Sequence, residues 1–335
     1  MRVSRFKKNL SMFVVPTGVG ASIGGFAGDA SPYAQKLAQH HHLIVNPNVV
    51  NAACFSGLTP NMLYVEGWTL GQFMKGDVSL IPSSNNRIGI IFDKAISSKI
   101  LNIHINTINA VKTVYGCNVM GYEVTDENCG VEFFMTNSGV SSGRVANNET
   151  LLRAAKKLIF RGAETIAVVC HFDEPPEDGY KYGTSPDIVG GIEAIISHYL
   201  TKELMVPVVH SPAFESIDIT SDLVDSRVSA EYITPTFLPC ILLGLQNAPM
   251  IHPEFNESYI NYTDLKSLIV PYNALGSSIV LDAISRHIPV LAIKENNTIM
   301  NVNKYNLGLE STVLTIETYQ DCNEFLNEVF GTCSR

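Results

Sequence analysis

Residues 12–31 read Met12-Phe13-Val14-Val15-Pro16-Thr17-Gly18-Val19-Gly20-Ala21-Ser22-Ile23-Gly24-Gly25-Phe26-Ala27-Gly28-Asp29-Ala30-Ser31, and Pro32 follows. The apolar start, residues 12–17, predicts a short buried strand. It runs into five glycines within eleven residues, 18–28, too many for a regular element. Ser31-Pro32 then supplies an N-cap and a first-turn proline for a helix reaching about residue 39. Strand, glycine loop and helix in that order open a parallel α/β sheet.

The alternation continues outward from this block. Residues 43–45 and 88–92 read as strands, and 97–115 as a helix stopped by Gly116. Residues 122–125 and 131–135 read as a strand pair across Asp126-Glu127-Asn128. The Gly-, Ser- and Asn-rich stretch 137–148 is the candidate interdomain linker or mobile loop. Beyond it, helices are expected at 148–161, 188–204, 277–286 and 318–330. Strands fall at 165–170, 206–209, 268–270 and 290–293. The expected fold is α/β, a mostly parallel sheet of Rossmann-like βαβ units in two lobes. The lobes would be 11–145, carrying the glycine loop, and 146–335, after a basic tail at 1–10.

Composition narrows the function classes. The 335 residues are 46% hydrophobic and 16% charged, which excludes a disordered chain. Net charge is −9 and no long Lys/Arg stripe occurs, so nucleic acid is not an expected partner. The apolar run at 237–245 is broken by Pro239 and Gly244, and no membrane span is expected. Seven cysteines, an odd number without a Cys-x-x-Cys pair, point to free thiols and a cytoplasmic location. Arg2, Arg5, Lys7 and Lys8 precede a six-residue apolar run, short for a signal peptide.

In an open parallel sheet, ligands sit beyond the carboxyl ends of the strands. Beyond the first strand, Thr17, Gly18, Gly20, Gly24 and Gly25 read as an anion cradle or as a structural turn packing helix against sheet, with Asp29 beside them as a further catalytic candidate. The spacing fits neither a Walker A loop nor a G-x-G-x-x-G fingerprint. Asn48 and Asn51 follow the second strand as ligand contacts or turn caps. Gly276, Ser277 and Ser278 open a helix as a second cradle or a plain N-cap. Lys294-Glu295-Asn296-Asn297-Thr298 follows an apolar strand directly. There Lys294 would neutralise an anion, Glu295 would act as general acid/base, and Asn296 and Thr298 would orient the substrate. His210 is the alternative acid/base. His171, Asp173 and His210 read either as ligands of a divalent metal, if their strands are neighbours, or as hydrogen-bonded loop residues, and the sequence names no other cofactor. Glu193 and His198 read as solvent-facing or interdomain positions.

The block from Val15 to Ala30 resembles the opening of DUF3326, a bacterial family of unknown function. The resemblance continues at Asn46-Pro47-Asn48-Val49-Val50-Asn51, Tyr64-Val65-Glu66-Gly67, Thr236-Phe237-Leu238-Pro239-Cys240 and residues 292–298, covering about 11–315. It implies one full-length unit and carries no reaction with it. Residues 276–297 are also similar to the donor-binding half of GT-B glycosyltransferases, through Gly276-Ser277-Ser278, Asp282 and Ile288-Pro289-Val290.

The sequence therefore predicts an enzyme of small-molecule metabolism, holding a small anionic metabolite between the glycine loop and the loops at 276–278 and 294–298. The competing classes are a non-catalytic binding or assembly protein, in which low charge density covers a homo-oligomer interface, and a nucleotide-sugar transferase.

Overall fold

The structure is a computed structural model in which residues 3–175, 179–216 and 219–331 are described. It contains two separate parallel sheets. The first has six strands in the order Val313–Ile316, Val290–Ile293, Leu265–Pro271, Leu10–Phe13, His42–Val45 and Met62–Tyr64. Leu10–Phe13 is central, with Phe13 opposite both Ile269 and Val45. The strand ends earlier than residues 12–17 suggest, because Val15 leaves the ladder to donate its N–H to Asn46 Oδ1. The second sheet has four strands in the order Val208–Ala213, Thr165–His171, Ile88–Phe92 and Val119–Val124.

These pairings cross residue 145. Strand Ile88–Phe92 lies beside Thr165–His171, and Leu10–Phe13 lies beside Leu265–Pro271. The second sheet is thus an insertion into the first along the chain, and the expected division near 145 does not follow the sheets. The strand pair expected across residues 126–128 is also different. Val119–Val124 pairs in parallel with Ile88–Phe92, and Val131–Met135 pairs with Ser141–Val145 instead. Thr136 closes that hairpin: its N–H and hydroxyl donate to Val140 O and its Oγ1 accepts from Val140 N. The stretch expected to be a linker therefore contains a strand.

Burial on both faces explains the unbroken apolar runs. On the first sheet, Leu10 and Met12 face a core with Leu70, Phe73, Met74 and Val270. Phe13 and Val15 face a second core, continuous with Ile88, Ile90 and Phe92 of the other sheet. The Leu238–Gln246 helix, with Leu238, Leu242 and Leu245 fully buried, belongs to that shared core and joins the sheets. Among the described residues no helix is long and apolar enough to cross a membrane.

Candidate functional site

A cavity of about 860 Å³ opens where strand ends from both sheets converge. Its wall takes Pro16 and Thr17 after the first strand, Asn48 and Asn51 after the second, and Glu66 after the third. From the second sheet come His210 and the start of the Gly190–Leu204 helix, carrying Glu193.

That helix docks closely because it begins Gly190-Gly191. A Cβ at Gly191 would collide with the carbonyl of Ser141. Glu193 thereby reaches His210, with Oε1 at 3.3 Å from Nδ1. The other ring nitrogen, Nε2, accepts the Cys170 N–H at 3.2 Å. This leaves the proton on Nδ1, which donates to Glu193. Ser197 Oγ accepts the His210 backbone N–H at 3.1 Å, and Phe172 stacks on the ring at 5.1 Å.

Burial sets the protonation of this pair. It pushes Glu193 up to about 8 and His210 down to about 3. At neutral pH the imidazole is neutral and the carboxyl mostly keeps its proton. Two further carboxyls on the wall behave alike. Glu231, bonded to the Tyr180 hydroxyl, is pushed up to about 8 by burial and then by the charge of Asp187. Glu66 is pushed up to about 7 by burial, although it caps the Gly67–Lys75 helix through the N–H groups of Trp68 and Thr69.

Of the residues singled out from sequence, Thr17, Gly25, Asn48, Asn51, His210, Ser277 and Ser278 line this cavity. Asn48 Nδ2 donates to Val15 O and Pro16 O, Asn51 Nδ2 donates to the Tyr64 hydroxyl, and Ser277 caps the Ser278–Ser285 helix at Val280 N. Gly18, Gly20, Gly24, Asp29 and Gly276 lie outside the wall. Asp29 Oδ1 accepts from Gly24 N and Phe26 N and shapes the glycine loop, and burial pushes its carboxyl up to about 6. Gly18 packs against Ser141, Gly20 against Ile299 and Gly276 against Val302.

The polar loop at 294–298 also stands outside the wall, and its contacts explain its polarity. Asn296 is fully buried: it accepts from Ile23 N at 3.0 Å and donates to Ile23 O and the Tyr319 hydroxyl, each at 2.8 Å. Glu295 accepts from Tyr319 N at the start of the Tyr319–Phe330 helix, and Lys294 pairs with exposed Glu317 at 2.8 Å. Thr298 donates to Asn273 Oδ1. These residues clasp the glycine loop to the C-terminal helix. They put Glu295 on a helix start, outside the cavity wall.

The expected metal set is not brought together either. His210 lies opposite Val168, and His171 opposite Ala213. An odd offset along the pleat sends the two rings to opposite faces of the sheet. His171 Nε2 lies 3.8 Å from Glu215, and Asp173 is exposed. Among the described residues the one group able to share a metal ion is Asp93, Cys129 and Cys170.

Sequence reading missed Glu193, Glu231 and Tyr180 as site residues. Glu193 did carry a signal: with Ser197 it forms an i, i+4 polar pair just after Gly190-Gly191. Glu231 sits in a four-residue helix, too short for a periodic pattern.

The comparisons with known proteins agree with the resemblance of the opening block. A cyanobacterial protein of Synechococcus sp., named an uncharacterized lipoprotein, is 36% identical over 306 residues, covering 89% of this chain and 85% of that protein. No solved structure matches. The family model described as "Protein of unknown function (DUF3326)" matches residues 10–328, and the chain belongs to that family.

Proposed function

We propose that the protein is an enzyme of small-molecule metabolism, with the two-sheet cavity as its active site and Glu193 as its acid/base group. The observation that carries this reading is the Glu193–His210 pair on the wall of the cavity. A carboxyl with a pKa near neutrality, oriented by a neutral imidazole, is suited to proton transfer. His210 acts here as a positioning residue.

The wall also bears on the ligand. Among the described residues Lys181 is its one Lys or Arg, against Glu174 and Asp187, while burial keeps Glu193 and Glu231 mostly protonated and raises Glu66 as well. A polyanion would meet more repulsion than attraction there. A metabolite of low net charge fits better, with its carboxylate or phosphate at Ser277-Ser278 and its hydroxyl or amino groups at Glu193 and Glu231. The unpaired state of all six described cysteines supports a cytoplasmic location, whereas the relative is named a lipoprotein. Fractionation of native cells separates the two.

A thermal-shift panel of hydroxy acids, amino acids, sugar phosphates and nucleotides tests the ligand class. A ligand at a hundred times its Kd contributes about 2.7 kcal/mol. Turnover of the best binder is then followed in wild type and Glu193→Gln. Loss of turnover with binding retained is expected; turnover at the wild-type rate removes Glu193 from the chemistry.

A further inference from the structure

The second sheet reverses its direction of growth between Ile88–Phe92 and Thr165–His171. From the first of these strands the chain adds Val119–Val124 on one side, then Thr165–His171 and Val208–Ala213 on the other. Such a reversal is where open parallel sheets take ligands. Three side chains meet there. Asp93 follows Ile88–Phe92, Cys170 is the penultimate residue of Thr165–His171, and Cys129 lies between Val119–Val124 and Val131–Met135. One carboxylate oxygen and two sulfurs lie within 4.8 Å of one another. Both cysteines are 0% exposed and Asp93 is 1% exposed.

Backbone donors hold the carboxylate in place. Asp93 Oδ1 accepts from Ala95 N at 3.1 Å and Cys129 N at 3.0 Å, and Oδ2 accepts from His171 N at 3.3 Å. A carboxylate offers about four lone-pair positions, so one remains on Oδ2. Among the described residues no Lys or Arg forms an ion pair with Asp93. Among the described residues this buried carboxylate, beside two thiols, thus has no ion-pair partner.

We propose that Asp93, Cys129 and Cys170 bind a borderline-soft divalent ion, with zinc the best chemical fit. Two sulfurs and one oxygen suit zinc better than calcium or magnesium, which take oxygen ligands. Tetrahedral zinc, with bonds of about 2.3 Å to sulfur and about 2.0 Å to oxygen, separates such ligand atoms by about 3.5–3.8 Å. From 4.8 Å or less, the cluster therefore needs to close by no more than about 1.3 Å. Burial holds the Cys170 thiol well above its ordinary range, and the Cys129 sulfur and Asp93 add to this. A bound cation reverses that balance. One divalent ion enters, two thiol protons leave to solvent, and no oxidant is required. The ion ties the Cys129 loop to the two central strands. It also steadies Cys170, whose N–H holds His210.

The test uses the full chain, reduced and stripped with a chelator, and titrated with Co²⁺ as the probe. The expected result is a thiolate-to-cobalt charge-transfer band that saturates at one ion per chain and is displaced by Zn²⁺. Release of two protons per ion accompanies it. Cys129→Ser and Cys170→Ser each lose the band, whereas Cys322→Ser, whose buried thiol belongs to another core, retains it. If a serine variant fails to fold, wild type in moderate urea decides: Zn²⁺ must protect Cys129 and Cys170 selectively from alkylation. No band in wild type, a band surviving in the Cys129→Ser Cys170→Ser double variant, or protection of other thiols overturns the proposal.

Discussion

Gly71 stands mid-way along the Gly67–Lys75 helix, on the cavity wall, and a Cβ there would meet no atom within 4 Å. Its φ is not in the left-handed region, so a side chain adds no backbone strain. Gly71→Ala should therefore stabilise the protein by ~0.5–1 kcal/mol, the usual gain at a helix interior. For a chain of this length that is a rise in Tm of ~1 °C. Gly71→Phe keeps most of the propensity gain and sends a ring into the cavity, so it should fold normally and lose the thermal shift given by cavity ligands. Urea titration reads the first effect as a higher midpoint at unchanged m, and the ligand panel reads the second. Loss of ligand binding by unfolding would lower the midpoint, so the two variants together separate blocking from damage. Refutation is equally direct. A Gly71→Ala variant destabilised by ~1 kcal/mol or more shows packed atoms where the cavity should be. A Gly71→Phe variant that still binds places the ligand elsewhere.

The titration of Glu193 gives a second prediction. Burial moves its carboxyl from 4.5 to about 8, so between those values the unfolded chain has lost a proton that the folded chain keeps. This contribution to stability is full below pH 4.5 and is lost as pH rises through 8. Glu193→Gln mimics the protonated acid and should match wild type within ~0.5 kcal/mol at pH 5, then exceed it by ~1 kcal/mol or more at pH 9; a variant weaker than wild type in urea at pH 9 contradicts this. His210, moved from 6.5 to about 3 by burial, acts in the opposite sense, and its contribution is lost as pH falls through that range. A third prediction contrasts neighbours in the clasp. Asn296→Ala strips partners from Ile23 and the Tyr319 hydroxyl and should cost ~2–4 kcal/mol, whereas Lys294→Ala removes an exposed ion pair and should cost under ~0.5 kcal/mol. Denaturation midpoints check both, and similar costs for the two would mean that 294–298 is an ordinary exposed loop.

The parallel sheets were legible in the sequence because strands buried on both faces leave unbroken apolar runs such as residues 165–170 and 290–293. Helix ends were legible for an equally local reason: Ser97 and Gly116 bracket a helix whose caps act within one turn. Pairing was less legible, since it depends on chain reversals. The Thr136–Val140 turn lies inside a stretch whose composition reads as a linker. The Leu238–Gln246 helix, apolar but for its last residue, shows little periodic face, because most of its circumference is buried between two sheets. Cavity-lining residues split along the same line. Thr17, Asn48, Asn51 and Ser277 lie a few residues beyond strand ends, so the strand-end rule points to their place on the wall. Glu193 reaches the cavity from a helix, through a glycine pair whose purpose appears only beside Ser141. Residues 294–298 marked a real constraint, but a buried asparagine satisfying a neighbouring loop has the same composition as one satisfying a ligand.

Each sheet has one reversal point, and the chain fills the two differently. In the first sheet the reversal lies between Leu10–Phe13 and Leu265–Pro271. There the glycine loop, clasped by Asn296, leaves room for the cavity beside Thr17 and Ser277. In the second sheet the reversal is occupied by the buried side chains of Asp93, Cys129 and Cys170. Cys170 belongs to both places, since its backbone N–H fixes the His210 tautomer on which Glu193 depends. A shift of the Thr165–His171 strand end, by an ion or by its loss, therefore acts on the acid/base pair through one hydrogen bond. The two sites are chemically separable but mechanically joined. An ion at the dry site should thus alter the pH dependence of Glu193 in the wet one without touching the ligand.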